Sequence, residues 1–210
     1  AHVQAVIDKI AVHDSAERFE SLGVRVISEA AEFISPTQIK AGEHLIEPKY
    51  CVIATGSQPI VPPIPGLEST SYLTNETIFN HTTLPKSLVV MGGGPIGIEM
   101  AQAFRRLGAE VTVVEGLKIL GHDDPETVSL LKQRLKKEGI NLLEGHMVER
   151  VAQNQDGFLL HCQTEGGVIE VKGEQLLVAV GRKPSLEGLG LDKAGVAYSS
   201  KGIEVDDSLR

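Results

Sequence analysis

The run Met91-Gly92-Gly93-Gly94-Pro95-Ile96-Gly97 constrains this chain more than any other feature. It contains G-x-G-x-x-G. The apolar stretch Ser87–Met91 leads into it, and a helix-spaced stretch follows, with Ile96, Met100 and Phe104 on one face and Gly108 as the stop. This is the context of a dinucleotide-binding βαβ unit, in which each glycine has its own task. Gly92 permits the tight turn out of the strand. Gly94 lets a pyrophosphate approach the backbone. Gly97 lets the helix pack closely on the sheet. The helix start then offers free N–H groups and a partial positive charge to a phosphate. The next strand, Val111–Glu115, ends in an acid 18 residues beyond Gly97. A carboxylate there accepts hydrogen bonds from the adenine ribose and repels a 2′-phosphate, so Glu115 points to NAD rather than NADP. Lys118 is the nearby group that could instead meet a phosphate. Glu99, read as lying in the first turn of the helix, is either placed there by the helix dipole or makes a polar contact near the nicotinamide.

The remaining elements follow from periodicity and turn residues. Residues 1–22 read as one helix closed by Gly23. Residues 24–28, 31–34 and 37–46 read as short strands, and Tyr50–Ala54 as a buried strand ending at Thr55-Gly56. Residues 57–66 hold four prolines and read as a stiff connection. After Leu84-Pro85 come strand, helix, strand, and a second helix with Asp124 as N-cap and Pro125 at the first helical position. Its basic residues, Lys132 to Lys137, form a solvated face. Ile140–Leu143 is a third strand. Residues 147–172 alternate apolar and polar around turns at Asp156-Gly157 and Gly166-Gly167, an antiparallel meander. Leu176–Val180 is a last buried strand. The expected class is α/β: an open, Rossmann-like parallel sheet with helices on both faces, an antiparallel β-meander laid over it, and a partial second domain.

Composition narrows the partners. A formal net charge of −8 repels phosphate backbones, which argues against nucleic acid. No apolar run is long enough to cross a membrane, and no signal peptide is visible, so the expected location is the cytoplasm. Cys51 and Cys162 are far apart and read as buried free thiols. The sequons at Asn75 and Asn80 then carry no meaning. The seven histidines show no metal-ligand spacing, and no nucleophile elbow or carboxylate pair stands out. No catalytic or metal-ligating residue is therefore expected. The chain starts at Ala1 inside a helical pattern, as an excised piece of something longer would.

Taken together, the glycine motif, Glu115 and two strand–glycine endings (Ala54-Thr55-Gly56-Ser57 and Ala179-Val180-Gly181-Arg182) resemble the pyridine nucleotide-disulfide oxidoreductases, such as dihydrolipoamide dehydrogenase and mercuric reductase. Val52–Pro59 with Pro63-Ile64-Pro65-Gly66-Leu67 resembles the hinge between that family's flavin and nicotinamide domains. Leu84–Glu99 resembles its NAD fingerprint, Val178–Pro184 the end of its NAD domain, and Gly188–Leu191 with Gly202–Asp206 the return to the flavin domain. The resemblance implies a remnant of a FAD domain and hinge at 1–80, an NAD domain at 81–185 and a return segment at 186–210. It also implies residue roles. Gly92, Gly93, Gly94, Pro95, Ile96, Gly97 and Glu99 would hold the pyrophosphate and nicotinamide side, and Glu115 the adenine ribose. Val148 would lie near adenine, unless it is core packing, and Gly181 near the nicotinamide. Thr55, Gly56 and Ser57 would touch FAD.

The family's flavin-binding GxGxxG, its CxxxxC pair, its Gly-Asp flavin segment and its dimerisation domain with a catalytic His are absent from this sequence. The implied protein is the NAD(H)-binding part of a FAD-dependent, homodimeric parent, inactive by itself, whose partners are its missing domains. Two alternatives stand beside it: a stand-alone NAD-binding or sensing module, and a flavin domain whose glycine turn holds the ADP half of FAD.

Overall fold

The structure is a computed structural model describing residues 2–210. In chain order it contains α1 (His2–Ala11), α2 (Ala16–Ser21), β1 (Ala31–Ser35), β2 (Gln38–Ala41), β3 (His44–Ile46), β4 (Ser57–Pro59), β5 (Ser87–Met91), α3 (Pro95–Leu107), β6 (Glu110–Glu115), α4 (Pro125–Lys137), β7 (Asn141–Glu144), β8 (Met147–Asn154), β9 (Gly157–Thr164), β10 (Gly167–Gly173), β11 (Gln175–Val178), β12 (Arg182–Pro184), β13 (Tyr198–Ser199) and β14 (Gly202–Ile203). The chain divides into two compact units. One is Pro59–Gly181; the other takes the described residues through Gln58 together with Arg182–Arg210.

The unit Pro59–Gly181 is three layers deep. Its middle layer is a parallel sheet in the order β11-β5-β6-β7. Successive side chains of a strand point to opposite faces, and both faces of β5 and β11 are buried, so these two strands carry runs of consecutive apolar residues rather than alternating ones. Leu88, Val90, Val111, Val113 and Leu177 meet Ile98 and Ala101 of α3 and Leu135 of α4. Val89, Met91, Val114, Leu176 and Val178 meet Val148, Val151, Phe158, Leu160 and Cys162 of the antiparallel sheet β10-β9-β8. The expectation of helices on both faces is thus corrected: α3 and α4 share one face and the meander covers the other. Strand order advances in one direction from β5 to β7. Right-handed crossovers between such strands place successive helices on the same side. The segment after the prolines joins this unit too. Leu73 N–H donates to Leu176 O (2.7 Å), and Val178 N–H donates to Leu73 O (2.8 Å).

The helix starts and stops lie where the sequence puts them. Asp124 accepts from Thr127 N–H at 2.9 Å and caps α4, with Pro125 in its first turn. Gly108, at φ +113°, ends α3.

In the second unit, β1, β2 and β3 form an antiparallel sheet, β12 lies beside β4, and β13 pairs with β14. Three expectations are corrected here. The single helix over 1–22 is two helices, because the Ser15 hydroxyl accepts from Arg18 N–H (3.3 Å) and starts a new one. Residues 24–28 are not a strand, and neither are residues 50–54. Strands need neighbours for their backbone groups, and among the described residues nothing pairs with these two segments. Tyr50 and Val52 are accordingly 82% and 88% exposed. Cys51 is exposed, whereas Cys162 is buried as expected. No helix of the described residues is long and apolar enough to cross a membrane.

Candidate functional site

A cleft of about 900 Å³ opens at the carboxyl ends of β5, β6 and β11, within the unit Pro59–Gly181. Open parallel sheets bind ligands at this edge. The glycine turn forms its floor: Gly92, Gly93, Gly94, Pro95 and Ile96 all line it. Gly92 sits at φ +112°, and a Cβ on it would come within 2.3 Å of Ala179 O. Gly97 lies behind the turn, where a Cβ would be 2.1 Å from Gly92 O, so the helix can approach the strand only without a side chain there. Gly94 differs from both, since a Cβ built on it meets nothing within 4 Å. Its missing side chain leaves the backbone open at the start of α3, and no side chain caps that helix end. The first N–H groups of a helix lack intrahelical acceptors, so this end is suited to an anion.

Glu115 lines the cleft at the end of β6. Its Oε2 accepts from Gly93 N–H and its Oε1 from Leu117 N–H, each at 2.8 Å. A carboxylate has about four lone-pair sites, so these two bonds fix the group and leave it able to accept more. Beyond it, residues 116–123 form the wall. Leu120 takes a left-handed backbone (φ +50°), and its N–H donates to Gly93 O (3.0 Å), tying the wall to the glycine turn. Behind the wall, Ile119 N–H donates to Glu144 Oε1 (2.9 Å), and Lys132 pairs with the same carboxylate. Burial pushes the Glu144 carboxyl up, but the Lys132 ammonium and the Ile119 N–H outweigh it and hold it below the usual carboxylate value.

The other sequence-derived site residues lie as follows. Gly181 lines the opposite wall, and its O accepts from Ile60 N–H at 3.0 Å. Glu99 is exposed, at the fifth residue of α3, and does not line the cleft; the first turn of that helix holds no acid. Val148 is buried at 7% exposure in the core beneath the meander. Thr55, Gly56 and Ser57 are exposed and belong to the other unit. Thr55 Oγ1 donates to Ser185 O (2.8 Å), Gly56 O accepts from Ser185 N–H (3.0 Å), and Ser57 Oγ accepts from Arg182 Nε (2.8 Å).

Several lining residues had no role in the sequence reading. Leu117, Leu120 and His122 were findable in principle, because they follow Glu115 directly at a strand end. Pro59 and Asn75 were not, because only the tertiary path of the segment before β5 brings them to the cleft.

The sequence profile of the pyridine nucleotide-disulphide oxidoreductases matches residues 5–210. The chain is 36% identical to mercuric reductase from Bacillus cereus over 193 residues, covering 91% of this chain and 31% of that protein. It is 36% identical to dihydrolipoyl dehydrogenase from Thermus scotoductus over 190 residues, covering 86% of this chain and 40% of that one. Among solved structures, the HOCl-induced flavoprotein disulfide reductase RclA from Escherichia coli superposes with a TM-score of 0.86 at 27% identity, over 97% of this chain and 48% of that one. The chain thus spans between about a third and a half of the length of these relatives.

Proposed function

Because the chain belongs to the pyridine nucleotide-disulphide oxidoreductases, a family that uses FAD and NAD(P), we propose that its cleft binds NAD(H) and presents it to a flavin held largely by residues outside this chain. The observation that carries the reading is the contrast among the three glycines. Gly92 and Gly97 are filled against backbone, while Gly94 faces open space at the uncapped start of α3. That is the fit a pyrophosphate requires.

In this reading Gly93, Gly94, Pro95 and Ile96 hold the pyrophosphate. Glu115, fixed by two N–H donors, accepts from the adenine ribose and disfavours a 2′-phosphate. Gly181 and the end of β11 flank the nicotinamide. Thr55, Gly56 and Ser57 contribute to the flavin site of the parent. When bound, the reduced nicotinamide supplies a hydride to the flavin. The residues of this chain orient the dinucleotide and exclude water; none is assigned a proton. The domain assignment follows the same reading: a flavin-domain remnant and hinge at 1–80, of which the part from Pro59 packs with the cleft unit, the NAD domain at 81–185, and a return segment at 186–210. The parent, with its remaining FAD and dimerisation domains, would be a cytoplasmic homodimer, and this chain by itself would not turn over.

Fluorescence titration with NADH and NADPH tests the reading. Saturable NADH binding, at least about tenfold tighter than NADPH, is expected. Gly94→Arg should abolish it, and Glu115→Arg should reverse the preference. Glu115→Gln separates the charge from the two backbone bonds. Equal binding of both nucleotides would defeat the NAD assignment and turn attention to Lys118. A yellow chain that ignores both nucleotides would favour a flavin in this cleft instead.

A further inference from the structure

Glu115 and Glu144 are register partners at the carboxyl ends of β6 and β7. Both carboxylates turn to the same loop. Glu115 accepts from Leu117 N–H, and Glu144 accepts from Ile119 N–H, two residues on. Glu115 lines the cleft; Glu144 does not. On the assignment of the cleft to a dinucleotide, we propose that Glu144 is a positioning residue for that ligand, holding the 116–121 wall by the Ile119 N–H while Lys132 balances its charge.

The chain of contacts is continuous. Lys132 of α4 pairs with Glu144, Glu144 holds Ile119, and Ile119 is 1% exposed in the core on the helix side. The next residue, Leu120, lines the cleft with a left-handed backbone and donates to Gly93 O in the pyrophosphate turn. A branched residue held in that backbone region requires surroundings that enforce it. Lys132 balances the charge of the Glu144 carboxylate. Withdrawing the Glu144 acceptor strands a backbone donor and a cation together. The loop keeps other ties, since Gly145 N–H donates to Leu117 O (3.1 Å) and His146 N–H donates to Glu115 O (2.9 Å). The fold should therefore survive, and what suffers is the shape of the wall against the adenosine half of the ligand.

The test uses the full chain, with NADH and ADP-ribose titrations and amide hydrogen exchange. Glu144→Ala should weaken NADH and ADP-ribose by the same factor, about tenfold, and speed exchange at 117–120. Reduced nicotinamide mononucleotide, which lacks the adenosine half, should bind as before. Glu144→Gln keeps an acceptor for Ile119 and should stay within about threefold of the parent. Glu144→Asp keeps the charge but withdraws it from Ile119, and should lose about as much as Glu144→Ala. Parent-like binding and exchange by Glu144→Ala or Glu144→Asp would overturn the proposal, as would a Gln variant as weak as the Ala variant. If the unsubstituted chain ignores NADH, the dinucleotide assignment fails on its own. Exchange at 117–120 then decides the clamp: faster in Glu144→Ala supports it, unchanged overturns it.

Discussion

The two units of this chain are made from similar amino acids and bury them very differently. Pro59–Gly181 closes two apolar layers over one sheet, one under the helices and one under the meander. In the other unit, among the described residues, the buried apolar side chains are Ala41 and Leu191. Its helix α1 has the apolar spacing of a packed helix, at Val3, Val6, Ile7 and Ile10, and buries none of them. Helix and strand patterns state which face wants cover; they do not supply the cover. In the first unit every layer is encoded between 59 and 181. The apolar face of α1 and the Tyr50–Val52 segment accordingly stay exposed.

Thiol reactivity gives the largest contrast between the units. Cys51 is exposed and Cys162 is buried, and burial pushes the Cys162 thiol up to about 11. Under native conditions one thiol should react with a disulfide reagent at once. The second should react slower by a factor on the order of 10³ or more, since it must wait for its unit to open. Two equally fast thiols would erase the distinction. Next comes Leu160→Ala, which removes a fully buried side chain from the meander layer. It should cost about 2–5 kcal/mol in denaturant unfolding, with the loss seen in the slow thiol as well.

A third prediction concerns the polar seam within Pro59–Gly181. Glu138 accepts from Arg106, Arg134 and Gln102, and hydrogen bonding by Arg106 and then Arg134 holds its carboxyl at about 2. A depressed folded value stabilises above the unfolded value near 4.5 and is lost as pH falls toward about 2. The difference in Tm between the parent chain and Glu138→Gln should be full near neutral pH and vanish across that acid window. A difference independent of pH would locate the effect in packing instead. The smallest effect is Val6→Ala on α1, which should change stability by less than about 0.5 kcal/mol because the residue is already exposed. A larger loss would mean that this helix buries its apolar face in solution.

Much of the unit Pro59–Gly181 is legible in its amino acids alone. The glycine turn, the span of α3, the Asp124-Pro125 start of α4 and the three meander strands were all readable, because each depends on local chemistry: a glycine backbone, a cap, or a period of two or 3.6. The cleft's floor and Glu115 were readable for the same reason. Tertiary structure decided the rest. That both helices share one face follows from crossover handedness acting on strand order, which no local pattern displays. That Tyr50–Ala54 is not a strand follows from the lack of a neighbour, not from its residues. The Glu144 support of the wall joins residues 119, 132 and 144, three positions that meet only because β6, α4 and β7 bring them together. A carboxylate at a strand end looks the same in sequence whether it faces solvent or holds a loop; its partners tell the two apart.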